Sequence, residues 1–337
     1  MKERDYLWDN IKALLIFLVV AGHFLELSTL NTGLARAIDT FIYSFHMPAF
    51  IFVSGFFAKR YCTDGKVKAV KAATLFAYYI VFQLLFISIR CIMNIHTNSI
   101  SLFSPGRGLW YLFVLFLLYL ITPIVEKLPA WFVVPVSIVL ALLVSRDTKA
   151  SSYMSILRLF TFAPYYFIGY YLSSDTVKKL RAIKPPVRLS LAFLCAACSV
   201  SLMLFNLDQP WNKLFYGKIN NARLHMSFGE ASLLRLDVYL IALLMIAALL
   251  LAIPDKKSPI AKLGQNSLQI YIIHMAFVII LFDSEIVDIN VNNNLILFVG
   301  LFGSLAVTVL LSLWFFGYPF KWIQTGVKKL YSIKSKD

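Results

Sequence analysis

The sequence predicts an all-α polytopic membrane protein with about ten transmembrane helices. First, 60% of the 337 residues are hydrophobic and the mean hydropathy is +0.75, whereas ordinary soluble domains are roughly 45–50% apolar. Second, the apolar residues form repeated runs of the length that a spanning helix needs, about 20 residues. Third, Lys and Arg collect in alternate short segments between these runs, as they do on the cytoplasmic side of membrane proteins.

The apolar runs give the candidate spans in chain order. They cover residues 11–29, 38–57, 71–93, 108–126, 131–145, 152–173, 187–206, 232–253, 266–283 and 294–317. The fifth run is short, and its ends carry Pro129, Trp131 and Arg146, which fit interfacial anchors. No small-residue cleavage site follows the first run, so we expect that run to be retained as a span.

Loop charge predicts the orientation of these spans. With the N-terminus in the cytoplasm, most of the 32 Lys and Arg residues fall on the inner side, and one miscounted span would reverse every later loop. We therefore expect both termini to be cytoplasmic. Residues 1–320 are predicted to form one integral-membrane domain in the cell membrane, and residues 321–337 a short basic cytoplasmic tail.

The composition also argues against several other classes of protein. The net charge of +15 would suit a nucleic-acid-binding protein, but the positive-inside bias explains it and no nucleic-acid-binding motif is present. The four cysteines are Cys62, Cys91, Cys195 and Cys198, which we interpret as buried small residues rather than a disulfide framework. The histidines are too scattered to predict a metal site.

Ionisable residues on the first span form a stripe. Lys12 and His23 are eleven residues apart, which places them about 20° from alignment at 100° per residue, and Asp9 lies on the same face. Charged groups at membrane depth usually face a cavity or a partner. The stripe therefore indicates a functional face, although chance placement of three residues remains the alternative.

The second span carries His46 in the stretch "SFHMPAFIFVSGFF". At 1.5 Å per residue, His23 and His46 both come about 12 Å below the outer membrane surface. Because a short loop joins the two spans, we expect the helices to pack together and the two histidines to form a proton-handling pair. The alternative is that each is a hydrogen-bonded packing residue.

Three further ionisable residues lie within later spans. Arg158 falls about 9 Å below the outer surface by the same count, where a guanidinium requires an anion or a substrate oxygen. Arg90 lies near the outer end of the third span, where it either meets substrate or extends to the interface. His274, in "LQIYIIHMAF", lies deeper.

Charged residues also cluster at the inner mouth of the first two spans. Asp9 and Lys12 belong to the first span, and Lys59 and Arg60 follow the second. Cations there would suit the phosphates of an anionic donor. For Lys59 and Arg60 the alternative is ordinary solvated loop charge.

The longest outside loop covers residues 206–230 and holds aromatic, amide and basic side chains. They are Trp211, Tyr216, Asn220, Asn221, Arg223 and His225. Aromatic rings among amides suit carbohydrate binding, because a ring covers the apolar face of a sugar. The alternative is an interfacial loop with aromatic-belt residues.

Several stretches together resemble the membrane-bound acyltransferase family 3, and within it the fucose 4-O-acetylase-like proteins. The matching stretches are "RDYLWDNIKALLIFLVVAGHF", "FIYSFHMPAFIFVSGFFAKR", "RGLWYLFVLFLLYL", "FAPYYFIGYYL" and "SLQIYIIHMAF". The basic residue and histidine of the family's first-span signature correspond to Lys12 and His23. Many members have arginine where this chain has Lys12, and lysine offers a point charge instead of a bidentate fork.

The resemblance implies O-acylation of a surface carbohydrate with acetyl-CoA as donor and no metal. His23 would be the catalytic histidine, with His46 and Arg158 beside it. Donor binding would fall to Asp9, Lys12, Lys59 and Arg60, and substrate binding to Arg90, Trp110, Tyr111, Trp211 and His274. Expected partners are the carbohydrate acceptor and membrane lipid, and not nucleic acid.

Two alternatives remain open from the sequence. Transfer is either direct, with His23 as general base, or passes through an acyl-histidine relay. A transporter or exporter of a polysaccharide, or of its lipid-linked precursor, would also have many spans and intramembrane charges, but paired broken helices in two matching halves are not apparent.

Overall fold

The computed structural model describes residues 4–27, 33–63, 66–95, 101–106, 108–147, 154–205, 208–283 and 294–334. Within these ranges the first eight α-helices are α1 (Tyr6–Leu27), α2 (Gly33–Ala58), α3 (Ala69–Ile92), α4 (Trp110–Val125), α5 (Ala130–Val144), α6 (Ile156–Tyr171), α7 (Ser174–Ala182) and α8 (Pro185–Phe205). The remaining ones are α9 (Trp211–Phe215), α10 (Asn221–Leu224), α11 (Phe228–Ala252), α12 (Ala261–Gln265), α13 (Ser267–Val278), α14 (Asn294–Leu311) and α15 (Tyr318–Lys334).

The helices confirm the predicted all-helical class. A π-helical turn (Ile279–Asp283) extends α13, a 3-10 turn (Trp314–Gly317) precedes α15, and two two-residue strands, β1 (Cys62–Thr63) and β2 (Lys66–Val67), pair in antiparallel fashion. In the described ranges five helices (α1, α2, α3, α8 and α11) are long and apolar enough to cross a membrane, or six if a bent pair counts as one span. The number ten and the orientation stay predictions.

Polar caps define where several helices begin. Ser227 and Glu230 form a capping box at the start of α11, with each side chain bonded to the backbone of the other. Ser173 accepts the amide of Thr176 at the start of α7. Such caps satisfy amides that have no partner inside the helix, and here they fix where the chain turns back into the bundle.

Helices α2 and α6 meet at two glycines. A Cβ atom at Gly55 would overlap the carbonyl of Tyr166, and one at Gly169 would overlap the carbonyl of Phe52. Only glycine, which has no Cβ atom, allows the two backbones to approach this closely. Small residues commonly allow such close packing between membrane helices. This contact holds the C-terminal end of α2 beside the C-terminal end of α6.

Helix α1 lies at the centre of the bundle and packs against α2, α12 and α14. At its N-terminal end the amide of Asn10 donates to the carbonyls of Pro254 and Lys256, at 2.8 and 2.9 Å. Gly264 of α12 lies against the carbonyl of Asp9. These contacts fix the first helix, which carries the predicted histidine.

Residues 321–334, which fall within the predicted basic tail, are helical. Helix α15 begins at Tyr318 and continues to Lys334. Its Phe320 ring packs on Tyr78 and Phe82 of α3, with centroid distances of 5.4 and 5.0 Å. The basic residues after Phe320 therefore belong to α15, and the Phe320 side chain anchors this helix to the bundle.

Candidate active site

A cavity of about 250 Å³ lies at the end of the bundle where α1 ends and where α2, α4 and α6 begin. Its wall includes His23, His46, Trp110, Arg158, Tyr216 and Tyr271. The cavity thus brings together His23 from the end of α1, His46 from the middle of α2 and Arg158 from the first turn of α6. The sequence predicted similar depths in the membrane for these three residues, and in the structure all three line one cavity.

His46 is buried, and its ring is held by its own helix. Its Nδ1 lies 2.7 Å from the carbonyl oxygen of Ile42, and because a carbonyl only accepts, Nδ1 carries the hydrogen. In the neutral ring Nε2 is then the nitrogen with a lone pair. The ring also meets the ring of Tyr43 edge-on at 4.8 Å, so its orientation is fixed by two contacts.

His274 is held in the same way on the other side of His23. It is fully buried, and its Nδ1 donates to the carbonyl of Ile270 at 2.9 Å. In the described part of the chain its Nε2 has no hydrogen-bond partner. The ring centroids of His23 and His274 are 5.4 Å apart. His274 does not line the cavity, and it supports the wall behind His23.

His23 differs from its two neighbours in accessibility. Its side chain is half-buried and faces the cavity, whereas His46 and His274 are buried. A charged imidazole costs least free energy where water or a polar ligand reaches it. Of the three rings, His23 is therefore the one most accessible to a polar ligand in the cavity.

Arg158 lies in the first turn of α6 and faces the cavity. Its Nε donates to the carbonyl of Tyr216 at 3.3 Å, and its guanidinium lies 4.5 Å above the ring of Trp110. The Trp110 ring stacks on Phe162 at 5.0 Å. A backbone carbonyl and an aromatic face thus position the guanidinium, as is typical of arginines that bind oxygen ligands.

Aromatic rings form much of the wall, and sequence reasoning missed four of them as site residues: Tyr43, Phe162, Phe215 and Tyr271. Tyr43 stacks on Tyr216 at 4.5 Å, and both line the cavity together with Tyr271. Tyr43 and Tyr271 lie three residues before His46 and His274. That spacing places each tyrosine on the same helical face as its histidine. The spacing alone could therefore have predicted Tyr43 and Tyr271 as site residues.

Other candidates lie outside the cavity wall. Tyr111 is buried and bonds to the hydroxyl of Ser54 at 2.7 Å. Trp211 is also buried; its Nε1 donates to the carbonyl of Met203 at 3.2 Å, and its ring stacks on Phe215. Arg90 lies in the last turn of α3 and is not part of the wall. The rings that reach the cavity from the loop between α8 and α11 are Phe215 and Tyr216.

The opposite end of α1 carries a charged network. Asp9 accepts from Arg4 at 2.7 Å, from Lys12 at 3.1 Å and from Gln265 at 3.3 Å. At 1.5 Å per residue, Lys12 lies about 16 Å along the axis from His23. Lys12 therefore contacts Asp9 and is remote from the cavity.

Lys59 and Arg60 make separate contacts. Lys59 donates to the carbonyl of Leu172 at the C-terminal end of α6, where a cation complements the helix dipole. Arg60 lies 4.7 Å above the ring of Phe57. Among the described residues, no group of three or more His, Cys, Asp or Glu side chains could hold a metal ion.

Comparison with known proteins adds one finding to this geometry. The family model described as an acyltransferase domain, that of acyltransferase family 3, matches residues 5–313. No curated protein and no solved structure matches the chain significantly. The matched range includes the three histidines of the site, the residues that line the cavity, and Asp9, Lys12 and Gln265 of the charged network at the other end of α1. The chain therefore belongs to the acyltransferase 3 family of membrane proteins.

Proposed function

We propose that this protein transfers an acetyl group, or a similar short acyl group, from acetyl-CoA to a hydroxyl of a surface or lipid-linked carbohydrate in the cell membrane. The observation that carries the proposal is the cavity in which half-buried His23 faces Arg158 and an aromatic wall. A base, a cation and apolar ring faces are the groups that acyl transfer to a sugar hydroxyl requires.

The size of the cavity restricts what enters it. Pockets that enclose drug-sized ligands have volumes of about 300–1,000 Å³, and this cavity holds about 250 Å³. It suits one sugar unit or the acyl end of a thioester, and it is too small for a whole CoA. The phosphates of CoA would then bind elsewhere, and the Arg4, Asp9 and Lys12 network at the other end of α1 is our candidate.

In the proposed step, the sugar hydroxyl oxygen attacks the thioester carbonyl carbon while His23 takes the hydroxyl proton. A carbon–oxygen bond forms and the carbon–sulfur bond breaks. The proton on His23 then passes to the departing CoA thiolate, so that the free thiol leaves. Arg158 would stabilise the negative oxygen of the tetrahedral intermediate, since the Tyr216 carbonyl and the Trp110 ring hold its guanidinium in the cavity wall.

We assign His274 a positioning role in place of the substrate contact first expected from the sequence. It is fully buried behind the His23 ring, and the hydrogen bond to Ile270 leaves its neutral Nε2 as an acceptor. We propose that the contact between the two rings orients His23, and that the Nε2 lone pair of His274 stabilises the charge that His23 gains.

Replacement of His274 tests this positioning role. We expect His274→Ala to lower kcat about tenfold or more, as second-layer partners of functional histidines do, with little change in the KM for acetyl-CoA. His274→Gln should restore part of the rate because an amide retains an acceptor. Steady-state kinetics and the pH profile of kcat measure this. Equal rates for the Ala and Gln variants, with unchanged pH profiles, would contradict the role.

Consumption of thioester separates an acyltransferase from a polysaccharide exporter. We expect purified protein in detergent to release CoA thiol from acetyl-CoA when a glycan acceptor is added, as read with a thiol reagent. An exporter would release none. A boiled sample and an acceptor-free sample control for spontaneous hydrolysis. Transport of the glycan without thiol release would favour the exporter.

A further inference from the structure

Helix α15 (Tyr318–Lys334) follows a sharp bend in the chain. The segments Gly300–Leu311 and Trp314–Ser332 meet at 66°. The stretch from Trp314 to Lys334 contains four lysines and no acidic residue. A basic helix that turns sharply away from an apolar helix has the composition of an interfacial helix.

The packing of α15 against the bundle uses only one of its faces. Phe320 is buried on α3, and Ile323 and Val327 are half-buried on the same side. At about 100° per residue, Lys321 and Lys328 lie on one flank of this packed face.

The other flank and the back of α15 combine apolar and basic side chains. Leu330 lies on the flank opposite the lysines, and Trp322 and Lys329 lie opposite the packed face. Trp322 is 75% exposed and Leu330 is 67% exposed. Apolar side chains of this size are unfavourable in water, whereas a Trp ring is stable at the headgroup level of a bilayer.

We propose that α15 lies flat in the headgroup layer and that Lys321, Lys328 and Lys329 bind the phosphates of anionic phospholipids. Leu330 enters the acyl region, Trp322 lies at headgroup depth, and the lysine stems extend toward the surface. Charge complementarity favours lipid over a second copy of the chain, because two such helices would place like charges against each other. This inference is independent of the proposed acyl transfer.

Lipid retention by the full-length protein tests the proposal. The probes are phosphatidylglycerol and phosphatidylcholine, counted on the detergent-purified protein by native mass spectrometry. One lysine near an anionic surface changes lipid affinity about fivefold, so we expect the triple variant K321Q/K328Q/K329Q to lose most bound phosphatidylglycerol. Trp322→Ala, which leaves every charge in place, should also reduce retention of this lipid.

The matched control is K178Q/K179Q/K184Q, which also removes three lysine charges. Lys178 and Lys179 lie in helix α7, and Lys184 follows it. There Lys178 is exposed and pairs only weakly with Asp175, at 3.5 Å. This variant should retain phosphatidylglycerol as the unmodified protein does. The proposal would be overturned if the α15 variants retained as much phosphatidylglycerol as the unmodified protein, or if the protein showed no preference for this lipid over phosphatidylcholine. A dimer mass that is lost only in the α15 variants would also overturn it.

Discussion

Replacing His23 with alanine should lower the rate of acyl transfer roughly 10²–10⁴-fold, the usual contribution of a general base. The variant should still fold, because the His23 side chain is half-buried and faces a cavity. Its KM for acetyl-CoA should change little if the CoA phosphates bind at the other end of α1. Initial rates of transfer at several donor concentrations measure both quantities.

Lys178→Ala is the control for this experiment. It removes an exposed ionisable side chain from α7, away from the residues that form the cavity. We expect this variant to transfer at the unmodified rate. If His23→Ala also transferred at that rate, His23 could not be the base.

Adding one methyl group at Gly55 or Gly169 should strongly destabilise the protein. In either case the new Cβ would overlap a backbone carbonyl of the facing helix, and neither backbone can move without separating α2 from α6. Overpacking of a close-packed site costs about 1–3 kcal/mol, and occasionally more. The midpoint of thermal unfolding in detergent should fall clearly for Gly55→Ala and for Gly169→Ala.

Gly229→Ala provides the comparison, because a Cβ at that position meets nothing within 4 Å. Gly229 lies in the first turn of α11, where alanine has the higher helix propensity. We expect this variant to unfold at the same temperature or slightly higher. Equal midpoints for the variants of Gly55, Gly169 and Gly229 would show that the α2–α6 contact is looser than described.

The class of fold was predictable because spanning helices need long apolar runs, and the runs fall where the helices lie. The site was predictable in part, since axial rise places residues in depth without knowledge of packing. That simple count put His23 and His46 at one depth and Arg158 about 3 Å nearer the surface, and the structure places all three on one cavity. The resemblance to acyltransferase family 3 came from the matching sequence stretches, and the family match confirms it.

Contacts between distant segments were not predictable in this way. Tyr216 enters the wall because the loop between α8 and α11 folds onto α2 and α6, with Arg158 bonded to its carbonyl. Lys12 pairs with Asp9 in a network completed by Gln265, which is remote in sequence. Helix α15 was missed because its apolar residues are few, and only the position of Phe320 on α3 shows why the segment is ordered.

The central claim is that the cavity beside His23 transfers an acyl group from a CoA thioester to a carbohydrate hydroxyl. Its most direct test is the O-acetyl content of surface glycans, measured by NMR, in cells that lack this gene and carry either the unmodified gene or the His23→Ala variant at equal protein level. We predict O-acetyl groups with the unmodified gene and none above background with the variant. Equal O-acetyl content in the two strains would contradict the claim.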